Sequence, residues 1–207
     1  MANKTRQVFT REKAPDRAAY IVMLVFSVLA LIAAFTLTLE KFAKLTDPEV
    51  ALSCSINLVL DCGRVMESWQ SHVFGFPNML IGLMAYPILI AVALAGLSGT
   101  KFPRWYMRTA NIGILLGALF AYWLFFSSVY VIQILCPWCL VVTFSTTLIL
   151  AAFTHVNLRN NTFGLKKATD ARVQAFLTKG YDKLVVFGWI VLLIALVFVK
   201  FGVALFE

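Results

Sequence analysis

Four cysteines are the residues of this chain best suited to chemistry, and they fall into two pairs. Cys54 and Cys62 stand eight residues apart, and Cys136-Pro137-Trp138-Cys139 forms a CxxC; no cysteine occurs elsewhere. Two intervening residues let two sulfurs meet across one helical turn, as redox dithiols require. With Cys136 near an N-cap, Pro137 takes the first helical position, where its missing N–H costs nothing. A helix N-terminus favours negative charge and so raises the thiolate fraction of a thiol placed there. Cys139, one turn deeper, would sit at the edge of a hydrocarbon layer, within reach of a lipid-soluble oxidant. Two other readings compete. A zinc site normally draws paired knuckles with short spacings, whereas the second pair here is widely spaced and no third knuckle exists. Two inert structural disulfides are the other, but a CxxC bridge closes too small a loop to stabilise much. A redox relay is the reading these residues favour.

The elements that must position the cysteines are membrane spans. Of 207 residues, 61% are hydrophobic and 14% charged, and the mean hydropathy is +0.85; ordinary soluble domains are about 45–50% apolar. Five apolar runs are long enough to cross a bilayer, which takes about 20 residues: Ala19–Leu39, Met79–Leu97, Ala110–Leu135, Cys136–Phe153 and Leu184–Phe206. Only the fifth contains a charge, Lys200, near enough to an end to snorkel. The third and fourth runs are nearly contiguous and read as a tight hairpin. The first run lacks a small-x-small cleavage pattern and is followed by Glu40 and Lys41, so it reads as a retained span rather than a signal peptide.

Net charge is +8, and its placement explains it by topology better than by nucleic acid, so no nucleic-acid partner is expected. The N-terminal tail (Lys4, Arg6, Arg11, Lys13, Arg17), the second–third loop (Lys101, Arg104, Arg108) and the fourth–fifth loop (Arg159, Lys166, Lys167, Arg172, Lys179, Lys183) hold 14 of the 18 positive residues. The opposite set holds only Lys41, Lys44, Arg64 and Lys200. The positive-inside rule puts the N-terminus in the cytoplasm and the C-terminus outside a cell (inner) membrane. All four cysteines then face the extracytoplasmic side, where disulfides persist. The chain divides into a cytoplasmic tail at 1–18, a four-helix redox bundle at 19–153, a cytoplasmic linker at 154–183 and a fifth span at 184–207. Within the bundle, the segment 40–78 is too long for structureless coil and carries apolar patches including Val50, Leu52, Val65, Met66, Trp69 and Phe74. It is expected to lie across the bundle as a cap that brings Cys54 and Cys62 to Cys136. Asn157–Lys183, polar and basic, reads as a solvated linker.

The order Cys54…Cys62-Gly63, Ser68, Phe74-Gly75-Phe76-Pro77-Asn78-Met79-Leu80-Ile81-Gly82 and Cys136-Pro137-Trp138-Cys139 resembles the vitamin K epoxide reductase family in its bacterial form, over about Tyr20 to Phe153. The resemblance implies an all-α membrane fold: a four-helix bundle around a quinone, capped by the first extracytoplasmic segment, with a fifth helix added here. It implies that Cys139 reacts with the quinone, menaquinone or ubiquinone, and that Cys136 is its disulfide partner, attacked by Cys62. Cys54 would exchange with a thioredoxin-like or DsbA-like protein. Because the chain ends at Glu207 without the fused thioredoxin-like domain of some bacterial members, that partner is expected to be separate. Asn78 matches an asparagine that hydrogen-bonds a quinone oxygen, against the plainer reading of a helix cap, and Ser68 matches a cap residue supporting the site. No metal is expected. Animal members carry a tyrosine four residues after the last cysteine, where this chain has Thr143, which bears on epoxide reduction and not on quinone reduction. Tyr86, Phe120, Tyr122 and Trp123 either line a pocket or serve as packing. The implied function is a quinone-dependent thiol oxidase supporting oxidative protein folding. Rival readings are a DsbB-type reductase, whose order of cysteine pairs is the reverse of this one, and a scaffold with structural disulfides. A transporter would need charged residues inside the bundle to mark an ion path.

Overall fold

The computed structural model describes residues 16–55, 57 and 59–202. Lys4, Arg6, Arg11 and Lys13 of the basic tail, Ile56 and Leu58 of the loop, and the end of the fifth run lie outside them. The described residues are helical, without strands: α1 Arg17–Thr46, α2 Cys62–Glu67, a 3-10 turn Trp69–His72, α3 Met79–Leu97, α4 Arg104–Phe126 continued by a π turn Ser127–Ile132, α5 Pro137–Arg159, α6 Lys167–Thr178 and α7 Tyr181–Phe201. Five of these are long and apolar enough to span a membrane: α1, α3, α4 with its π turn, α5 and α7. This is the expected all-α membrane architecture.

Helix boundaries follow local chemistry. Asp16 caps α1, its side chain accepting from the N–H of Ala19. Pro103 precedes α4, and Pro137 opens α5 from the first turn. The chain leaves the π turn through Gln133, in the left-handed region at φ 58°, and reaches α5 after Ile134, Leu135 and Cys136.

α1 is the centre of the bundle and packs on both α3 and α5, while α4 packs on α5. Small residues make the approach close. Ala30 and Ala33 are fully buried, and a Cβ on Gly96 of α3 would lie 2.1 Å from a Tyr20 ring carbon of α1. Between helices in lipid, where burial in protein gains little over burial in hydrocarbon, such packing is what holds spans together. α7 is peripheral. Leu193, Val197 and Phe201 meet Phe125, Val129 and Leu135, and Trp189 donates to the Tyr122 hydroxyl at 3.0 Å.

The bundle has two chemically distinct ends. At one, His155 lies 2.8 Å from Asp16 and 2.6 Å from Asp182, and Arg159 pairs with Asp16 at 2.6 Å. This cluster joins the start of α1, the end of α5 and the start of α7. The cap and all four cysteines occupy the other end.

Two boundaries differ from the sequence reading. α1 runs past Leu39 to Thr46, because its polar last turns are held by the cap: Lys41 donates to Met66 O at 3.1 Å and Lys44 pairs with Glu67 at 2.7 Å. The cap proper therefore begins at Asp47. The segment read as a solvated linker is partly ordered. α5 continues to Arg159 with Asn157 fully buried, and Gln174 of α6 donates to the carbonyls of Leu158 and Arg159 at the end of α5.

Candidate active site

The cap is fastened to the entrance of α5, and this fastening sets the cysteine geometry. Leu60 forms a parallel bridge with Leu135. Leu135 N donates to Val59 O at 2.7 Å, and Asp61 N donates to Leu135 O at 3.0 Å. Leu60 and Leu135 each stand just ahead of a helix start that bears a cysteine, so pairing them sets Cys62 beside Cys136. Asp61 then starts α2, accepting from Gly63 N at 2.8 Å and from the Ser55 hydroxyl at 2.6 Å. Partial burial pushes the Asp61 carboxyl up, but the Ser55 hydroxyl, the N–H groups of Arg64 and Gly63 and the Lys44 charge outweigh it, so it titrates below the ordinary carboxylate range.

Cys54 and Cys62 form a disulfide, whereas Cys136 and Cys139 are thiols. The Cys136 sulfur lies 3.1 Å from that of Cys62, and Cys62, Cys54 and Cys136 are 0, 3 and 2% exposed. A thiol therefore touches one sulfur of a buried disulfide. The N–H of Cys139 donates to the Cys136 sulfur at 3.3 Å.

Below the sulfurs lies a cavity of about 420 Å³ enclosed by α1, the cap, α3, α4 and α5. Its size falls within the range of small-molecule sites. Cys136 and Cys139 lie on its wall, with Ser68, Asn78, Tyr86 and Phe120. The rest is mostly apolar, including Leu37, Met66, Ile114 and Phe125.

Asn78 stands at the N-cap of α3 yet makes no capping bond. Its Nδ2 donates to Gln70 O at 2.6 Å, and its Oδ1 is buried without a partner. A backbone carbonyl only accepts, so this contact fixes which end of the amide is which. Asn78 thus keeps an acceptor and a second amide hydrogen without a partner beside the cavity, and a buried orphan of this kind is costly. Ser68 donates to Val65 O at 2.7 Å, closing the end of α2. The loop that holds both is stitched by Ser71, whose hydroxyl donates to Met66 O at 2.6 Å and whose carbonyl accepts from Asn78 N at 2.9 Å. Trp69 against Trp123 and Phe74 against Phe120 seat the cap on α4; Gly75, at φ 81°, makes the turn between the two phenylalanines.

Of the aromatics considered from sequence, Tyr86 and Phe120 line the cavity, whereas Tyr122 bonds Thr147 and Trp189 and Trp123 packs on Trp69. Tyr86 shares a hydrogen bond with Thr146 at 2.9 Å. Thr146 and Thr143 also lie on the wall, their hydroxyls donating to carbonyls one turn back. Sequence reasoning missed Glu40, which closes the first apolar run and reads there as the polar end of a span. Its carboxylate and the sulfurs of Cys54 and Cys62 lie within 4.8 Å of one another, but sulfurs bonded to each other offer no thiolate to a cation. The only foretelling signal was an acidic residue at the hydrocarbon edge on the cysteine side.

The family model for the vitamin K epoxide reductase family matches residues 21–154, which takes in the four bundle helices, the cap and all four cysteines. The chain belongs to that family, and is a membrane oxidoreductase whose redox groups are cysteines. No curated protein matches it.

Proposed function

We propose that this family member is a quinone-dependent thiol oxidase, which takes two electrons from an extracytoplasmic thioredoxin-like dithiol and delivers them to a membrane quinone. The observation that carries this reading is the 3.1 Å approach of the Cys136 thiol to the Cys62 sulfur of the Cys54–Cys62 disulfide, directly above the cavity. A scaffold with inert bridges has no use for a free thiol pressed against a disulfide.

The partner's thiolate attacks Cys54, the outer sulfur, and Cys62 leaves as a thiolate. The partner's second thiol resolves the mixed disulfide, releasing the partner oxidised and Cys54 as a thiol. When Cys136 and Cys139 are joined, Cys62 attacks Cys136 and frees Cys139. Cys54 then attacks Cys62, which restores the outer disulfide and leaves Cys136 reduced. That end state is an outer disulfide over an inner dithiol, the same pairing as Cys54–Cys62 with Cys136 and Cys139 free.

A quinone in the cavity supplies a two-electron acceptor. The apolar walls suit its ring, and Asn78 would hold an oxygen. The two faces of the Asn78 amide serve both redox states: its free N–H donates to a carbonyl, and its orphaned Oδ1 accepts from a hydroxyl. Ser68 supports the loop carrying Asn78. The basic end of the bundle faces the cytoplasm in this reading, and the cysteines face outward.

Anaerobic mixing of the purified protein with reduced thioredoxin and a short-chain ubiquinone tests the reading. Quinone absorbance falls with one thioredoxin oxidised per quinone consumed. An unchanged quinone spectrum alongside a reducible Cys54–Cys62 bond would contradict it.

A further inference from the structure

We infer that Glu40 is a catalytic residue of the outer cysteine pair, passing a proton to and from Cys54; this rests on the thiol-exchange reading above. Glu40 lies on α1 at the level of the cap and is 9% exposed. One carboxylate oxygen, Oε1, accepts from the N–H of Ser53 at 3.1 Å and from the Ser53 hydroxyl. The other, Oε2, lies 3.1 Å from the Cys54 sulfur. A disulfide sulfur carries no hydrogen, so in the oxidised state this contact is a hydrogen bond only if the carboxyl holds the proton. Once the disulfide opens, the Cys54 thiol donates to Oε2. The contact is thus satisfied in both redox states by moving one proton between two atoms.

The surrounding charges leave Glu40 to this task. Lys41 donates to Met66 O, Lys44 pairs with Glu67, and Asp61 caps α2. Among the described residues, no cation pairs with Glu40.

With a Cys62–Cys136 bridge present, the Cys54 sulfur attacks Cys62 as its proton passes to Glu40. The Cys54–Cys62 bond forms, the Cys62–Cys136 bond breaks, and Cys136 leaves with the electron pair as a thiolate, beside the N–H of Cys139. Later, when the partner's second thiol expels Cys54 from the mixed disulfide, Glu40 returns the proton to it. Positioned proton transfer of this kind is worth typically about 10²–10⁴-fold in rate.

The test begins with the whole protein fully reduced, without oxygen, and mixed with a short-chain ubiquinone. Samples are alkylated at intervals and their bridges mapped by mass spectrometry at pH 6 and pH 9. In Glu40→Gln the Cys62–Cys136 bridge should persist about 10²-fold longer than in the wild type at pH 6. The gap should narrow toward pH 9, where solvent base can replace the carboxylate, and Glu40→Asp should recover part of the rate. Equal lifetimes in Gln and wild type, or a loss of the same size at both pH values, would overturn the role. Should the Gln variant not fold, the wild type decides alone. Outer-pair closure that is flat from pH 6 to 8 fits an internal base, and closure rising tenfold per pH unit contradicts one. A wild type that leaves the quinone unreduced counts against the proposed function instead, and closure is then started with diamide.

Discussion

Two sulfurs in contact, one thiol and one disulfide, give the site its direction. Exchange requires an attacking thiolate, a leaving thiolate and access, and only Cys62 meets both pairs: it is bonded to Cys54 and touches Cys136. Asn78 is the residue on the cavity wall with unsatisfied capacity. Asn78→Ala should weaken quinone reduction by about 1–3 kcal/mol. Asn78→Asp should be worse, since it sets negative charge where a quinol oxyanion develops. Both are read from quinone concentration dependence at saturating dithiol, and unchanged kinetics in both variants would remove Asn78 from the site. The cysteines and Asn78 were legible as residue types in a specific order. Glu40 was not, because a carboxylate closing an apolar run reads as a helix end; only folding Ser53-Cys54 back over α1 gives it a partner.

At the level of elements, the site depends on how the cap is pinned. The Leu60–Leu135 bridge and the Asp61 cap of α2 set Cys62 over α5. Asp61→Ala should loosen α2 by about 1 kcal/mol, visible as faster amide exchange at Gly63 and Arg64. The native Asp61 carboxyl titrates below its ordinary value, so its contribution is complete above the unfolded carboxylate range. It is lost only as the pH falls through the depressed native value, and a cap that instead loosened on raising the pH toward neutrality would contradict this. Deeper in the bundle, a methyl at Gly96 meets the Tyr20 ring, whereas one at Gly113 meets nothing within 4 Å. Gly96→Ala should therefore lower the detergent Tm, by about 1–3 kcal/mol of overpacking, and Gly113→Ala should not. Five spans could be read from apolar runs because the bilayer fixes their length. The extra turns of α1 and the whole of α6 could not, since contacts hold them: Lys41 and Lys44 with the cap, Gln174 with the end of α5.

The whole molecule separates its functions along its axis, with the Asp16–His155–Asp182–Arg159 cluster at one end and the cysteines at the other. The proposed topology, drawn from the charge count, puts the basic end in the cytoplasm. A membrane-impermeant thiol reagent applied to intact reduced cells should then label Cys54 without permeabilisation; labelling only after permeabilisation would invert the topology. That all four cysteines share one end followed from counting spans, but their pairing at rest did not. What sets Cys62 against Cys136 is the cap's register on Leu135, which no local pattern announces. The relay makes one intermediate obligatory, the Cys62–Cys136 bridge, which Cys54 resolves forward and Cys139 backward; in Cys139→Ser the bridge exchanges only with the Cys54–Cys62 disulfide. Mass spectrometry of non-reduced peptides from Cys139→Ser protein, brought to equilibrium in a dithiothreitol redox buffer, measures it. A Cys62–Cys136 bridge is expected in a substantial fraction of molecules, with Cys54 free in those molecules. A dominant Cys54–Cys136 bridge, or no bridge between the cap and α5 at any poise of the buffer, would contradict it.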